Sequence, residues 1–176
     1  YYLDLMKSIK ITGKRNIDKV NNIVKPQRKD TLNWNFDDIY FTYNKQIEII
    51  NQLYLEQEIE FEKTFKREIE RKIKGYKNQD VQKNIFDLNY FISLNQTIEK
   101  LVGSKMKCFY CSDKCELIYK DNFAKKQWTL DRIDNNMGHN DNNVVICCLE
   151  CNIKRGDMDS ERFKKGKDIK IVRKHF

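Results

Sequence analysis

Two Cys-x-x-Cys pairs, Cys108–Cys111 and Cys148–Cys151, constrain this chain more than any other feature. Two residues between cysteines let one tight turn present both sulfurs to the same ion. Two such pairs supply the four thiolates of a tetrahedral structural zinc site. The stretch from Ser112 to Cys147 between them is long enough for a β-hairpin. A disulfide scaffold is disfavoured, because Tyr1–Lys10 carries no secretory leader: Asp4 and Lys7 interrupt it. A redox Cys-x-x-Cys needs no second pair. Cys115 and Cys147 compete with Cys111 and Cys148 as ligands, and the two-residue spacing to Cys151 selects Cys148. The expected setting is a reducing, intracellular compartment.

The charge pattern points to a polyanionic partner. The 176 residues carry a formal charge of +8. Residues 1–36 hold eight Lys/Arg against three Asp, residues 37–103 ten against twelve acids, and residues 104–176 sixteen against eleven. Two basic ends thus flank a nearly neutral middle, a distribution suited to nucleic acid. Ten Phe and nine Tyr give enough bulk for a core and exclude wholesale disorder. No apolar run is long enough to span a membrane. The chain does not begin with Met, which fits a piece of a longer protein.

The expected fold class is α+β, in two parts: a mostly helical segment at 1–103 and a small zinc domain at 104–176. Pro26 lies in a basic stretch that reads as an extended linker. Ile50, Leu53, Tyr54, Phe61, Phe65, Ile69 and Ile73 recur at helical spacing, with Gly75 and Asn78 as stop signals. Asp80 reads as the cap of a second helix that buries Val81, Ile85, Leu88 and Ile92 and ends near Gly103. The result is a helical hairpin whose residues mostly pack, with a protein partner as its other use. Beyond Lys105, Glu116–Tyr119, Gln127–Ile133 and Val144–Cys147 read as strands. The Asn-rich run from Asp134 to Asn143 reads as a loop, and a helix is expected from near Leu149 toward Phe163.

The run Thr129-Leu130-Asp131-Arg132-Ile133-Asp134, followed by Gly138-His139, Asn143-Val144-Val145 and Cys148-x-x-Cys151-Asn152-x-Lys154-Arg155-Gly156, resembles the HNH endonuclease signature in its zinc-stapled form. The resemblance covers residues 104–163 and implies a ββα-metal fold related to the treble clef. It implies that Asp131 and Asn152 hold a catalytic Mg²⁺, and that Asn143 holds the loop and orients the catalytic His. Two oxygen donors plus water and phosphate suit that ion. One position departs from the pattern. The usual dipeptide is Asp-His, with His as general base, whereas Arg132 follows Asp131 here. Arginine only donates and cannot take a proton. His139, the only imidazole in the motif, is the candidate base in its place, and His175 in the tail is a remote second. A tyrosine base, catalysis without a protein base, and loss of activity remain as alternatives.

Arg132, Lys154, Arg155, Lys164 and Lys165 are expected to meet phosphate, supported by Arg162, Lys167, Lys170, Arg173 and Lys174. Trp128 and Phe163 read as core. The leading expectation is a metal-dependent endonuclease that cuts DNA, with RNA also open as substrate. The rival expectation is an inactive HNH-like zinc module that binds nucleic acid or builds part of a larger assembly.

Overall fold

The structure is a computed structural model, and it describes residues 34–169 together with Thr12, Ile17, Val20 and Asn21. Nearly all of the basic N-terminal stretch, the Pro26 linker, Lys170, Arg173, Lys174 and His175 lie outside the described residues. Among those described, helices α1 (Tyr43–Tyr54), α2 (Glu62–Gln82) and α3 (Leu94–Gly103) precede a two-stranded antiparallel hairpin. Strand β1 (Trp128–Arg132) pairs with β2 (Val144–Cys148), with Leu130 opposite Ile146 and Asp131 opposite Val145. Helices α4 (Leu149–Arg155) and α5 (Ser160–Asp168) follow. This is a mixed α+β architecture, helices around a small sheet.

Helix boundaries differ from the sequence reading, for local reasons. The apolar stripe from Ile50 to Ile73 is broken after Tyr54, where Glu56 and Phe61 adopt positive φ, so it belongs to two helices. Gly75 and Asn78 do not stop α2, because its wall is held by tertiary contacts. Asp80 lies inside α2 and is fully buried, while Val81 and Leu88 are exposed and only Ile92 of that predicted face is deeply buried. Three helices therefore stand where a two-helix hairpin was expected. Ser93 starts α3 with a reciprocal capping box to Gln96.

Glu116–Tyr119 is not a strand; Glu116 makes only an isolated bridge to Gln127. Its neighbours bond a side chain instead. Buried Gln46 of α1 accepts from the Leu117 amide at 2.6 Å and donates to the Ile118 carbonyl at 3.2 Å, which ties α1 to this segment. The helix expected to run on to Phe163 is interrupted at Gly156, whose φ of 54° and ψ of −121° end α4. One buried cluster runs through both halves of the chain, from Ile49, Phe65 and Leu101 to Trp128, Leu130 and Ile146. Trp128 belongs to it, and Phe163 packs against it. No helix among the described residues is long and apolar enough to cross a membrane.

Candidate functional site

The four-cysteine cluster is built by two local devices. Cys108 and Cys111 sit on a turn closed by the Ser112 amide donating to the Cys108 carbonyl at 2.9 Å, with Ser112 at positive φ. Cys148 ends β2 and Cys151 lies in the first turns of α4. The Cys148 side chain does not cap α4; the amides of Leu149 and Glu150 donate instead to the carbonyls of Gln127 and Lys125. The Phe109 amide donates to the Ile146 carbonyl at 2.9 Å, which locks the turn onto β2.

The ligand atoms of Cys108, Cys111, Cys148 and Cys151 all lie within 4.8 Å of one another, and Cys111 Sγ stands 3.9 Å from Cys148 Sγ. A tetrahedral ion with bonds of about 2.3 Å would separate its sulfurs by about 3.8 Å. These four residues are positioned to bind a metal ion, and their chemistry and spacing are compatible with structural zinc. A hydrogen bond from Cys148 pulls the Cys108 thiol down to about 4, and the same bond pushes Cys148 up. Burial pushes Cys151 up to about 12. Cys115 and Cys147 stay outside the cluster, and burial pushes both thiols up. Cys147 is held by Thr129, whose Oγ1 lies 3.1 Å from its sulfur.

Beside the hairpin lies a cleft of about 590 Å³ between α2 and β1. Asp131, Arg132, His139 and Asn152 all line it, with Arg71, Lys83 and Tyr76 on the α2 side. Helix α2 is fastened along the outer edge of β1. The Leu130 amide donates to Tyr76 Oη at 3.0 Å, and Lys72 Nζ donates to the Trp128 carbonyl.

His139 is deeply buried against the end of α2. Its Nδ1 is 2.7 Å from Asp80 Oδ1, and its backbone amide donates to Asp80 Oδ2 at 2.6 Å. Its ring stacks on Tyr76 at 4.5 Å between centroids. A carboxylate only accepts, so the proton sits on Nδ1 and Nε2 keeps its lone pair. Burial lowers the imidazole pKa below its ordinary value; Asp80 pulls the other way, while Arg132 and Lys83 add to the lowering. Sequence reasoning missed Asp80 as a partner of His139. A signal exists in the sequence: Asp80 continues the Phe65, Ile69, Ile73, Tyr76 stripe, where a carboxylate must be buried.

Gly138 is what lets the loop approach. A Cβ there would meet the Ile85 carbonyl oxygen at 2.6 Å and Asp80 Oδ2 at 2.9 Å. Gly138→Ala is therefore expected to lower stability by roughly 1–3 kcal/mol, the usual cost of overpacking a fixed backbone, as measured by urea unfolding. Unchanged stability would show that the loop does not sit this close. Asn143 closes the same loop. Its Nδ2 donates to the carbonyls of Asp134 at 2.9 Å and Gly138 at 3.0 Å, and its Oδ1 accepts from the Asp134 amide.

The charged motif residues are placed differently from the sequence expectation. Asp131 Oδ2 accepts from Tyr110 Oη at 2.6 Å and Oδ1 from Arg155 Nη1 at 2.7 Å. Burial raises the Asp131 carboxyl, and Tyr110 and Arg155 work against that rise. Arg155 is not on the surface: its side chain is 1% exposed, and it also donates to the carbonyls of Arg132 and Ile133. Its place four residues after Cys151 is the available clue, since i and i+4 share a helix face. Arg132 lines the cleft, but its guanidinium already has partners. It bonds the carbonyls of Asn135 and Met137 at 3.4 Å and lies 3.9 Å from Asp80. Asn152 uses Nδ2 on Thr129 Oγ1 at 3.1 Å and the Leu130 carbonyl at 3.3 Å. Lys154 pairs with Glu150, Lys164 lies over the Phe109 ring, and Lys165 is exposed.

Nothing in this arrangement supports a Mg²⁺ held by Asp131 and Asn152. Both Asp131 oxygens are engaged, and the Arg155 guanidinium already cancels the charge that would attract a cation.

The chain matches no family model, no curated protein and no solved structure. The reading of the site therefore rests on its own geometry. Burial pushes the hydroxyls of Tyr76 and Tyr110 up, which disfavours either as a proton acceptor.

Proposed function

We propose that the cleft binds a nucleic-acid strand and hydrolyses a phosphodiester bond, with His139 as general base. The observation that carries this reading is the buried Asp80–His139 pair in the wall of a cleft edged by Arg71 and Lys83. With Nδ1 committed to Asp80, neutral Nε2 takes a proton from an attacking water. As the water oxygen bonds phosphorus, the P–O bond to one sugar oxygen breaks. That oxygen leaves with a proton from solvent, and the imidazolium returns its proton to solvent. Asp80 keeps the ring oriented and balances the imidazolium that forms. The cationic edge draws the phosphate in and offsets charge on its oxygens. The four cysteines, taken as a zinc site, hold the hairpin rather than react, and six cysteines outside any disulfide suit a reducing compartment inside the cell. DNA is the proposed substrate, and RNA is tested beside it.

The experiment is a supercoiled-plasmid nicking assay and a labelled RNA assay on zinc-loaded protein, each with and without Mg²⁺. Nicking without added Mg²⁺ is expected. Cutting that depends wholly on Mg²⁺ would return Asp131 to a ligand role after rearrangement. No cutting of either polymer would leave a second reading, a nucleic-acid-binding zinc module without chemistry. One observation favours that second reading: Asp131, Arg132 and Arg155 already have partners in one another, Asp80, Tyr110 or backbone carbonyls.

A further inference from the structure

Helix α2 carries a second pocket, of about 520 Å³, at its N-terminal end. Trp34, Phe36 and Phe61 give it an aromatic wall, and Thr64, Arg67 and Glu68 give it a polar one. The rings of Trp34 and Phe36 lie 5.1 Å apart, and both stay half-buried rather than closing into the core. Phe36 is braced from behind by Phe65, stacked at 5.4 Å. Glu68 is almost wholly buried, and its Oε2 accepts from Arg71 at 2.8 Å. Arg71 lines this pocket and the His139 cleft alike.

The two pockets are thus stations along one helix. From Arg67 through Arg71 to Lys83 is about 24 Å at the rise of an α-helix, with these cations at its start and end. An aromatic-walled pocket with hydrogen-bonding groups at its rim and Arg67 and Arg71 beside it has the chemistry of sites that stack bases while following a backbone. Single-strand sites begin at about four nucleotides, and this span is on that scale. A paired duplex keeps its base faces covered by stacking, so only an unpaired base can enter such a slot.

We infer that the Trp34–Phe36–Phe61 pocket seats an unstacked nucleobase, so that the strand led into the cleft is single or locally unpaired. The inference rests on the phosphodiester reading only for the identity of the polymer. Its test reads binding alone, so that absence of cutting and absence of this site are separate results.

Tryptophan emission is followed while the full chain is titrated with a short single-stranded oligodeoxynucleotide and, separately, with its duplex. Trp128 is 1% exposed, so a change reports chiefly on Trp34. Emission is expected to be quenched by the single strand. Trp34→Phe should lose the quench and keep the affinity. Trp34→Leu should weaken single-strand binding about tenfold, the usual worth of one stacked base, and leave duplex binding unchanged. Exposed Arg67→Gln, which threatens no packing, should weaken the single strand by about threefold, on the scale of one exposed charge contact. Absence of quenching, unchanged single-strand binding by both Trp34→Leu and Arg67→Gln, or equal loss of single-strand and duplex binding would overturn the inference.

Discussion

Cys111→Ser is expected to strip the metal from the four-cysteine cluster and to unfold the hairpin with α4. The effect should be large because the Cys108–Cys111 turn, the end of β2 and the start of α4 all meet at these four sulfurs, more than the Arg155 and Asn152 hydrogen bonds to β1 can replace. An isolated two-stranded hairpin is marginal in water, and α4 has only seven residues. Cys108, Cys148 and Cys151 are all buried members of the core, so three sulfurs would stay crowded there without their cation. Structural zinc contributes about 10–16 kcal/mol in small sites, as much as a whole domain's net stability of about 5–15 kcal/mol. Elemental analysis should find one equivalent of zinc in the wild type and little in the variant. Amide exchange should show lost protection in Trp128–Arg132 and Val144–Cys148. Cys115→Ser and Cys147→Ser should keep the metal. Less than half an equivalent in unchelated wild-type protein would sink the zinc assignment.

The second large effect concerns the proton acceptor. If the cleft cuts as proposed, His139→Ala should slow cutting by ~10²–10⁴, the range typical of general-base catalysis, while nucleic-acid affinity barely changes. Asp80→Asn should cost nearly as much, by a different route. The new amide oxygen can still accept from the His139 backbone amide, which leaves its NH₂ facing Nδ1. Nδ1 must then accept, the ring proton moves to Nε2, and the base is lost although the geometry survives. If His139 is the base, its lowered imidazole pKa should carry cutting to more acid pH than an ordinary histidine with a pKa of ~6.5 would allow. The acid limb of the pH–rate profile should therefore lie below ~6.5 and disappear in Asp80→Asn. An acid limb unchanged by both substitutions would remove His139 from the chemistry.

The proposed slot at the far end of α2 complements that site. If an unpaired base anchors there, the cleft receives a strand rather than a duplex, and Arg67, Arg71 and Lys83 along its edge gain a purpose beyond packing. Lys164 lies over the Phe109 ring and Lys167 over the Phe163 ring, beside the turn that carries Cys108 and Cys111.

Local features are legible in the linear sequence. Cysteine spacing depends on a tight turn, β-branched runs on extended backbone, and Asn-rich runs on loops; each is set within a few residues. Hence the residues alone disclose the cysteine cluster and the two strands that become β1 and β2. Helix ends are less legible, because Gly75 and Asn78 only weaken a helix, and packing against β1 outweighs them. What tertiary structure alone decides is which charges face one another. Asp80 meets His139 across 59 residues, and Arg155 turns inward to Asp131 across 24. A buried charge must find a partner or give up its charge. Helical periodicity puts Asp80 and Arg155 on buried faces, but the choice of partner depends on how α2 and α4 close over the hairpin.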